Sequence, residues 1–265
     1  MREPDFRLFW IGIIFLIMGT IFFRFDGGKY DILITDHYYH VELPVGERFF
    51  LARAEPWATF KKNDGTFTVI PVIFCFYLIG TGLIIPKQRP LVRYGSFGLL
   101  ALIIGPGLLV NVLFKGFWGR PRPSQTNLWP NSLAPDNLPF YKVWDPAFAD
   151  GLNNTSFPSG HVSAVVVSVV LFYMFKHPAT MARISGDYAE LKIKLFTVIK
   201  YAGLIIAWAG GILMGFARIV QGAHHASDVL WSYGMVIPVT WGLYYYVFRI
   251  PAWEQKQGQK KPEIT

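Results

Sequence analysis

The chain has 265 residues, 52% of them hydrophobic and 17% aromatic, with a mean hydropathy of +0.33 and a formal net charge of +8. Its single cysteine, Cys75, excludes an intrachain disulfide. The positive balance does not point to nucleic acid, because the basic residues sit in short stretches beside apolar blocks, where they act as topology signals.

The apolar residues fall into six blocks: Leu8 to Phe23, Phe67 to Ile85, Tyr94 to Phe114, Val162 to Phe175, Leu195 to Phe216 and Val229 to Phe248. Crossing ~30 Å of hydrocarbon takes roughly 20 helical residues. Most blocks approach that length, and the first and fourth need flanking residues to complete it. The expected fold is all-α, a six-transmembrane-helix bundle. Residues 1–248 are expected to form one membrane-embedded domain, and 249–265 a basic cytoplasmic tail. With both termini cytoplasmic, the inner segments carry 14 Lys and Arg in 57 residues, and the outer ones 11 in 100. That twofold difference in density is what the positive-inside rule expects.

The start of the chain has the charge and apolar run of a signal peptide, but Phe22, Phe23, Arg24 and Phe25 offer no small-residue cleavage site, so it reads as an anchor. Residues 24–66 form an expected outer insertion, either a spacer or a cap over a site. Its Tyr30 to Asp36 run looks strand-like, and Phe49, Phe50 and Leu51 look interfacial. Block two runs into Pro86, and Gly105-Pro106-Gly107 predicts a kink in block three. A polar, Pro- and Trp-rich loop follows, with overlapping glycosylation sequons at Asn153-Asn154-Thr155-Ser156. Thr155 or Ser156 is the expected cap of helix four, with Pro158 in its first turn. Gly203, Ala207, Gly211 and Gly215 recur every four residues, a stripe that permits close helix approach. Tyr244 to Tyr246 suit an interface belt, and the Lys-rich tail is expected to be disordered.

Polar side chains at membrane depth are costly, so they require a function or a partner. They cluster at 115–123, 158–161 and 218–228. Three crossings of alternating direction put all three clusters on one non-cytoplasmic face. His224 and Asp228 are spaced i to i+4, so the carboxylate can orient and charge-stabilise the imidazole.

These stretches resemble the signature of the type 2 phosphatidic acid phosphatase superfamily. They read Lys115, six residues, Arg122-Pro123; Pro158-Ser159-Gly160-His161; and Arg218, five residues, His224, three residues, Asp228. One departure is Ala217, where the family usually has serine; it removes a hydroxyl near the phosphate and spares the nucleophile and acid. The resemblance implies a phosphohistidine mechanism without metal or cofactor. His224 would be the nucleophile, Asp228 its partner and His161 the leaving-group acid. Lys115, Arg122 and Arg218 would neutralise the phosphate, with Ser159 and the amides near Gly160 adding donors at a helix start. His225 lies three residues from Asp228 and competes for it; the family spacing selects His224. Arg120, Gln125 and Thr126 are candidate substrate contacts, with loop packing as the alternative.

A site at membrane depth facing away from the cytoplasm favours an amphiphilic lipid phosphate as substrate, beside membrane lipids as the surroundings. The expected location is a bacterial inner membrane with the site on the periplasmic face. Phosphatidylglycerol phosphate, undecaprenyl diphosphate and lipid A all qualify, and the Gly-Arg-Pro-Arg-Pro run at 119–123 leans toward lipid A. The other classes are a lipid-to-lipid phosphotransferase using the same site and a non-enzymatic transporter. Nothing in the residues fixes the oligomeric state.

Overall fold

In a computed structural model the described residues are 4–62, 66–130, 138–145, 155–186 and 189–259, and among them the chain is helical with no strand ladder. The elements run α1 (Pro4–Phe25), α2 (Lys29–Asp36), α3 (Trp57–Lys62), α4 (Thr66–Ile84), α5 (Leu91–Leu102), α6 (Lys115–Phe117), α7 (Gly160–Val166), α8 (Val169–Met174), α9 (Pro178–Ile184), α10 (Glu190–Ile205), α11 (Gly211–Val220), α12 (Ala226–Gly242) and α13 (Ile250–Gln259). Each of the six apolar blocks is helical.

Two continuous helices, Leu91–Phe117 and Glu190–Val220, are long and apolar enough to cross a membrane. Up to four spans result if each bent pair counts as one: Phe9–Phe25 with Lys29–Asp36, bent by 82°, and Gly160–Met174 with Pro178–Ile184, bent by 77°. Thr68–Ile84 is a shorter apolar helix. The structure is thus an all-helical membrane-type bundle with two to four candidate spans, fewer than the six expected. Length explains much of the difference, since block four ends at Phe175, after which the chain turns sharply into α9.

The exterior is unusually apolar. Ile11, Ile14, Phe15 and Met18 on α1, Ile70, Ile73 and Tyr77 on α4, and Val198, Ile205 and Ile212 on the α10–α11 helix are all exposed. Helices apolar on their outer as well as inner faces belong in lipid. Inside, α7 and α8 form the central rod. Val162, Val165, Val166, Val170 and Met174 pack against Phe97 and Ala101 of α5, Met214 of α11 and Val236 of α12. The small-residue stripe does bring helices together: a Cβ on Gly203 would lie 2.6 Å from Leu171 Cβ, and one on Gly215 2.5 Å from Val229 Cγ1.

Four local expectations change. Tyr30 to Asp36 is helix α2, not a strand, because Gly27 and Gly28 at positive φ turn the chain and Asp26 receives the Gly28 and Tyr30 amides. The kink at Pro106 takes the form of wider π-helical winding over Ile103–Phe114, and Asn111 Nδ2 donates to the Pro106 carbonyl at 2.7 Å. The cap of helix four is Ser159, with Pro158 outside the helix. The tail begins as helix α13, held by Glu254, which accepts from Tyr94 and pairs with His177 Nδ1 at 2.5 Å, and by Arg93 over the Trp253 ring. Asn153, Asn154, Lys260 and Lys261 lie outside the described residues.

Candidate active site

The first cluster is set by the end of the long α5–α6 helix. Lys115 closes its π-helical stretch, and its Nζ lies against the start of α7: a Cβ on Gly160 would sit 2.8 Å from Lys115 Nζ and 2.7 Å from Asn111 Oδ1. Only glycine lets the amine approach that backbone so closely. Beyond it Arg122 begins a short turn, where Gln125 Oε1 accepts from the Arg122 amide at 2.9 Å and Arg122 Nη2 donates to Thr155 Oγ1 at 3.0 Å.

The second cluster is the start of α7. Ser159 caps it, its Oγ accepting from the Val162 amide at 3.5 Å, and Ser232 Oγ of α12 donates to the Ser159 carbonyl at 2.8 Å. This ties α7 to α12 and puts His161 opposite the third cluster. The His161 and His224 rings lie 6.4 Å apart, centroid to centroid, with planes at 62°.

The third cluster is the turn between α11 and α12. Arg218, 4% exposed, ends α11 and donates from Nη1 to Gln221 Oε1 at 2.6 Å. Gly222, at φ +63, turns the chain back toward His224. His224 is buried, and its Nδ1 lies 2.6 Å from the Ser156 carbonyl. With Nδ1 donating to that oxygen, Nε2 is left unprotonated. Asp228 Oδ2 is 3.6 Å from the same Nδ1, so it acts on the ring by charge, while accepting hydrogen bonds from Ser156 Oγ at 2.6 Å and the His225 amide at 2.9 Å. Burial pushes the His224 imidazole down from 6.5 to about 4, against the opposing pull of Asp228, so the ring is neutral at neutral pH.

A cavity of about 250 Å³ opens beside these groups, lined by Ala52, Arg53, Arg122, Ser124, Arg218, Gln221 and Ala223. Residues of the 24–66 segment therefore form part of the mouth. Gln221 Nε2 donates to the Trp57 carbonyl at 3.0 Å, and Phe49 packs on the Gly222 turn.

Lys115, Arg122, Ser159, Gly160, His161, Arg218, His224 and Asp228 thus converge. Arg120, Gln125 and Thr126 do not line the mouth. Arg120 is fully buried behind Asp228, Gln125 closes the Arg122 turn, and Thr126 Oγ1 donates to the Pro123 carbonyl at 3.0 Å. Ser156 reads as a helix cap in the sequence, and Gln221 carries no signal there, since both act through contacts between distant segments. His225 packs between Trp129 and Phe140, its ring 6.0 and 5.4 Å from theirs, and meets Asp228 through its backbone, its amide donating to Oδ2 at 2.9 Å and its carbonyl accepting from the Asp228 amide at 3.1 Å.

An all-helical scaffold of membrane type that brings Lys115, Arg122 and Arg218 together with His161 and His224, the two arginines lining a cavity, is the framework of a phosphoric monoester hydrolase. The profile of the PAP2 superfamily matches residues 96–252, which contain all three clusters, and the chain belongs to that family. Over 246 residues it is 28% identical to a lipid A 4'-phosphatase of Francisella tularensis subsp. novicida, covering 90% of this chain and 95% of that protein. Two rhizobial lipid A 4'-phosphatases are similar over shorter stretches. The one from Rhizobium etli is 31% identical over 63% of this chain, and the one from Rhizobium leguminosarum 30% over 62%. The chain spans about half the length of each, 52% and 56%. No solved structure matches.

Proposed function

We propose that the protein is an integral membrane lipid phosphatase that removes a phosphate group from an amphiphilic substrate, with lipid A preferred, through a phosphohistidine intermediate. The observation that carries the reading is the facing pair His161 and His224 beside Lys115, Arg122 and Arg218. The lipid A preference is supported by the three similar phosphatases, one of them similar over nearly its whole length. Phosphatidylglycerol phosphate and undecaprenyl diphosphate rank behind it.

A phosphate monoester brings up to two negative charges, and its transfer needs them neutralised with nucleophile and leaving oxygen in line. The two arginines offer bidentate forks and Lys115 a point charge beside the Gly160 backbone. His224 Nε2 attacks phosphorus while the phosphorus–oxygen ester bond breaks. His161 gives its proton to the departing alkoxide. His161 then takes a proton from water as that water attacks phosphorus, the phosphorus–nitrogen bond breaks, and inorganic phosphate leaves with His224 neutral again. Asp228 stabilises the positive charge that the ring carries between the two steps.

The six apolar helices are read as six crossings of one domain, 1–248, with both ends of the chain cytoplasmic and the site on the periplasmic face of a bacterial inner membrane. In that arrangement the 24–66 segment caps the site, and an outer-leaflet lipid reaches the mouth from the side. The experiment is phosphate release by the purified protein across a panel of lipid phosphates, with His224→Ala as control. Release from lipid A that vanishes in the variant is the expected result. Equal release by both proteins sinks the mechanism, and release only when a second lipid is supplied as acceptor makes the protein a phosphotransferase.

A further inference from the structure

Behind the His224 turn lies a set of buried charges of which the phosphoryl chemistry above uses only Asp228. Arg120, Asp31 and Asp228 all have fully buried side chains. Every Arg120 nitrogen is engaged: Nε donates to the Tyr141 carbonyl at 2.9 Å, Nη1 to Asp228 Oδ1 at 2.5 Å and Ser227 Oγ at 2.8 Å, and Nη2 to Asp31 Oδ2 at 2.8 Å. Asp31 also accepts from the Ser227 amide at 3.0 Å and from Ser227 Oγ. One guanidinium thus bridges two carboxylates, from α2 and α12.

Buried charges of this kind are weak contributors to stability, since desolvation cancels much of their attraction. What they fix here is geometry and charge. Arg120 holds Oδ1 of Asp228, leaving Oδ2 to take Ser156 Oγ and the His225 amide, and the Ser156 carbonyl in turn holds His224 Nδ1. Arg120 alone would cancel the charge of Asp228. Asp31 supplies a second carboxylate, so the cluster of two carboxylates and one guanidinium stays net negative beside an imidazole that becomes positive as it attacks.

We propose that Asp31 and Arg120 are positioning residues for phosphoryl transfer, with Asp31 balancing Arg120 so that Asp228 keeps both its orientation toward the His224 turn and its charge. The inference rests on the phosphohistidine reading above. Neither residue lines the mouth, so substrate binding is left to Lys115, Arg122 and Arg218.

The test compares full-length wild type, Asp31→Asn, Arg120→Lys and His224→Ala in detergent, measuring kcat, KM, and inhibition by orthovanadate and by inorganic phosphate. Vanadate mimics the five-coordinate transition state and needs a well-aimed His224, whereas phosphate needs only the cations. Asp31→Asn is expected to lower kcat about tenfold or more and to weaken vanadate inhibition by a similar factor, with KM and phosphate inhibition within about twofold of wild type. Arg120→Lys, which keeps the charge with fewer donors, is expected to show the same split to a smaller degree, and carries the test if Asp31→Asn does not fold. Wild-type kcat and vanadate inhibition in both variants overturn the inference. So does a loss in which KM and phosphate inhibition move as much as kcat, the mark of a packing role. Retained turnover in His224→Ala sinks the phosphohistidine reading itself, a failure distinct from either of these.

Discussion

The His161 and His224 rings face each other at 6.4 Å between centroids, one at the head of α7 and the other in the turn before α12. An imidazole from each of two separate polar clusters is thereby brought to one place. If the rings divide the work as proposed, His224→Ala abolishes turnover of every substrate. His161→Ala is expected to lose on the order of 10²- to 10⁴-fold on alkyl phosphates, the usual size of a general acid–base contribution. With a leaving group that departs without a proton, such as nitrophenolate, the first step survives in His161→Ala and phosphate accumulates on His224. Radiolabelled phosphate that is acid-labile and base-stable on the variant checks this, and an unlabelled but turning-over variant would contradict it.

Gly160→Ala tests the closeness of Lys115 to the α7 backbone. The new methyl would lie 2.8 Å from Lys115 Nζ and 2.7 Å from Asn111 Oδ1, so the amine must withdraw. Because the lysine is a flexible chain, the fold is expected to tolerate the change with a loss of about 1–3 kcal/mol, as for an overpacked site. kcat/KM is expected to fall about a hundredfold as a cation leaves the phosphate position. Thermal unfolding and steady-state kinetics on one preparation separate the two effects.

Much of this arrangement is legible in the sequence. Charge and apolar residues alternate along the chain, so the helices and the three polar stretches follow from composition and spacing alone. The contacts that tune the site did not follow. Asp31 looks like one polar residue in a strand-like run, and its meeting with Arg120 across 89 residues depends on α2 turning back toward α12. Ser156 carries a cap signal, yet its hydroxyl is used by Asp228 and its carbonyl by His224. Local patterns predict local bonds, while these partners are set by how helices pack. The expected approach of Asp228 to the His224 ring is present at 3.6 Å, and Ser156, which bonds both, adds a link that local spacing does not show.

The two neighbouring histidines give the protein a pH-dependent stability. Burial lowers both His224 and His225 from 6.5 to about 4, with Arg120 adding to the effect at His225. Between those values the unfolded chain binds protons that the native state refuses, so stability falls as pH drops from about 6.5 to about 4 and is not affected by these groups above that window. His225→Gln removes one of these titrations and is expected to flatten the fall. Unfolding temperatures of both proteins in detergent between pH 4 and about 8 check it, and parallel curves would refute the assignment.

The last prediction concerns the segment that covers the turn bearing His224. Phe49 is 2% exposed and packs on Gly222, where a Cβ would fall 2.3 Å from the ring, and Gly222 stands at φ +63. Gly222→Ala therefore suffers twice, from a left-handed backbone that costs an alanine roughly 1–2 kcal/mol and from the collision with the ring. Phe49→Ala leaves a cavity instead, at about 3–5 kcal/mol. In the double variant the methyl enters space that the ring has vacated, so the collision disappears and only the backbone cost remains. Its loss of stability is expected to be smaller than the sum of the single losses by about 1–3 kcal/mol, a coupling of the size found for residues in contact. Simple additivity would mean that the 24–66 segment and the His224 turn do not bear on each other. With coupling present, Phe49→Ala alone is also expected to reduce kcat, because the turn that aims His224 is held from outside by that ring.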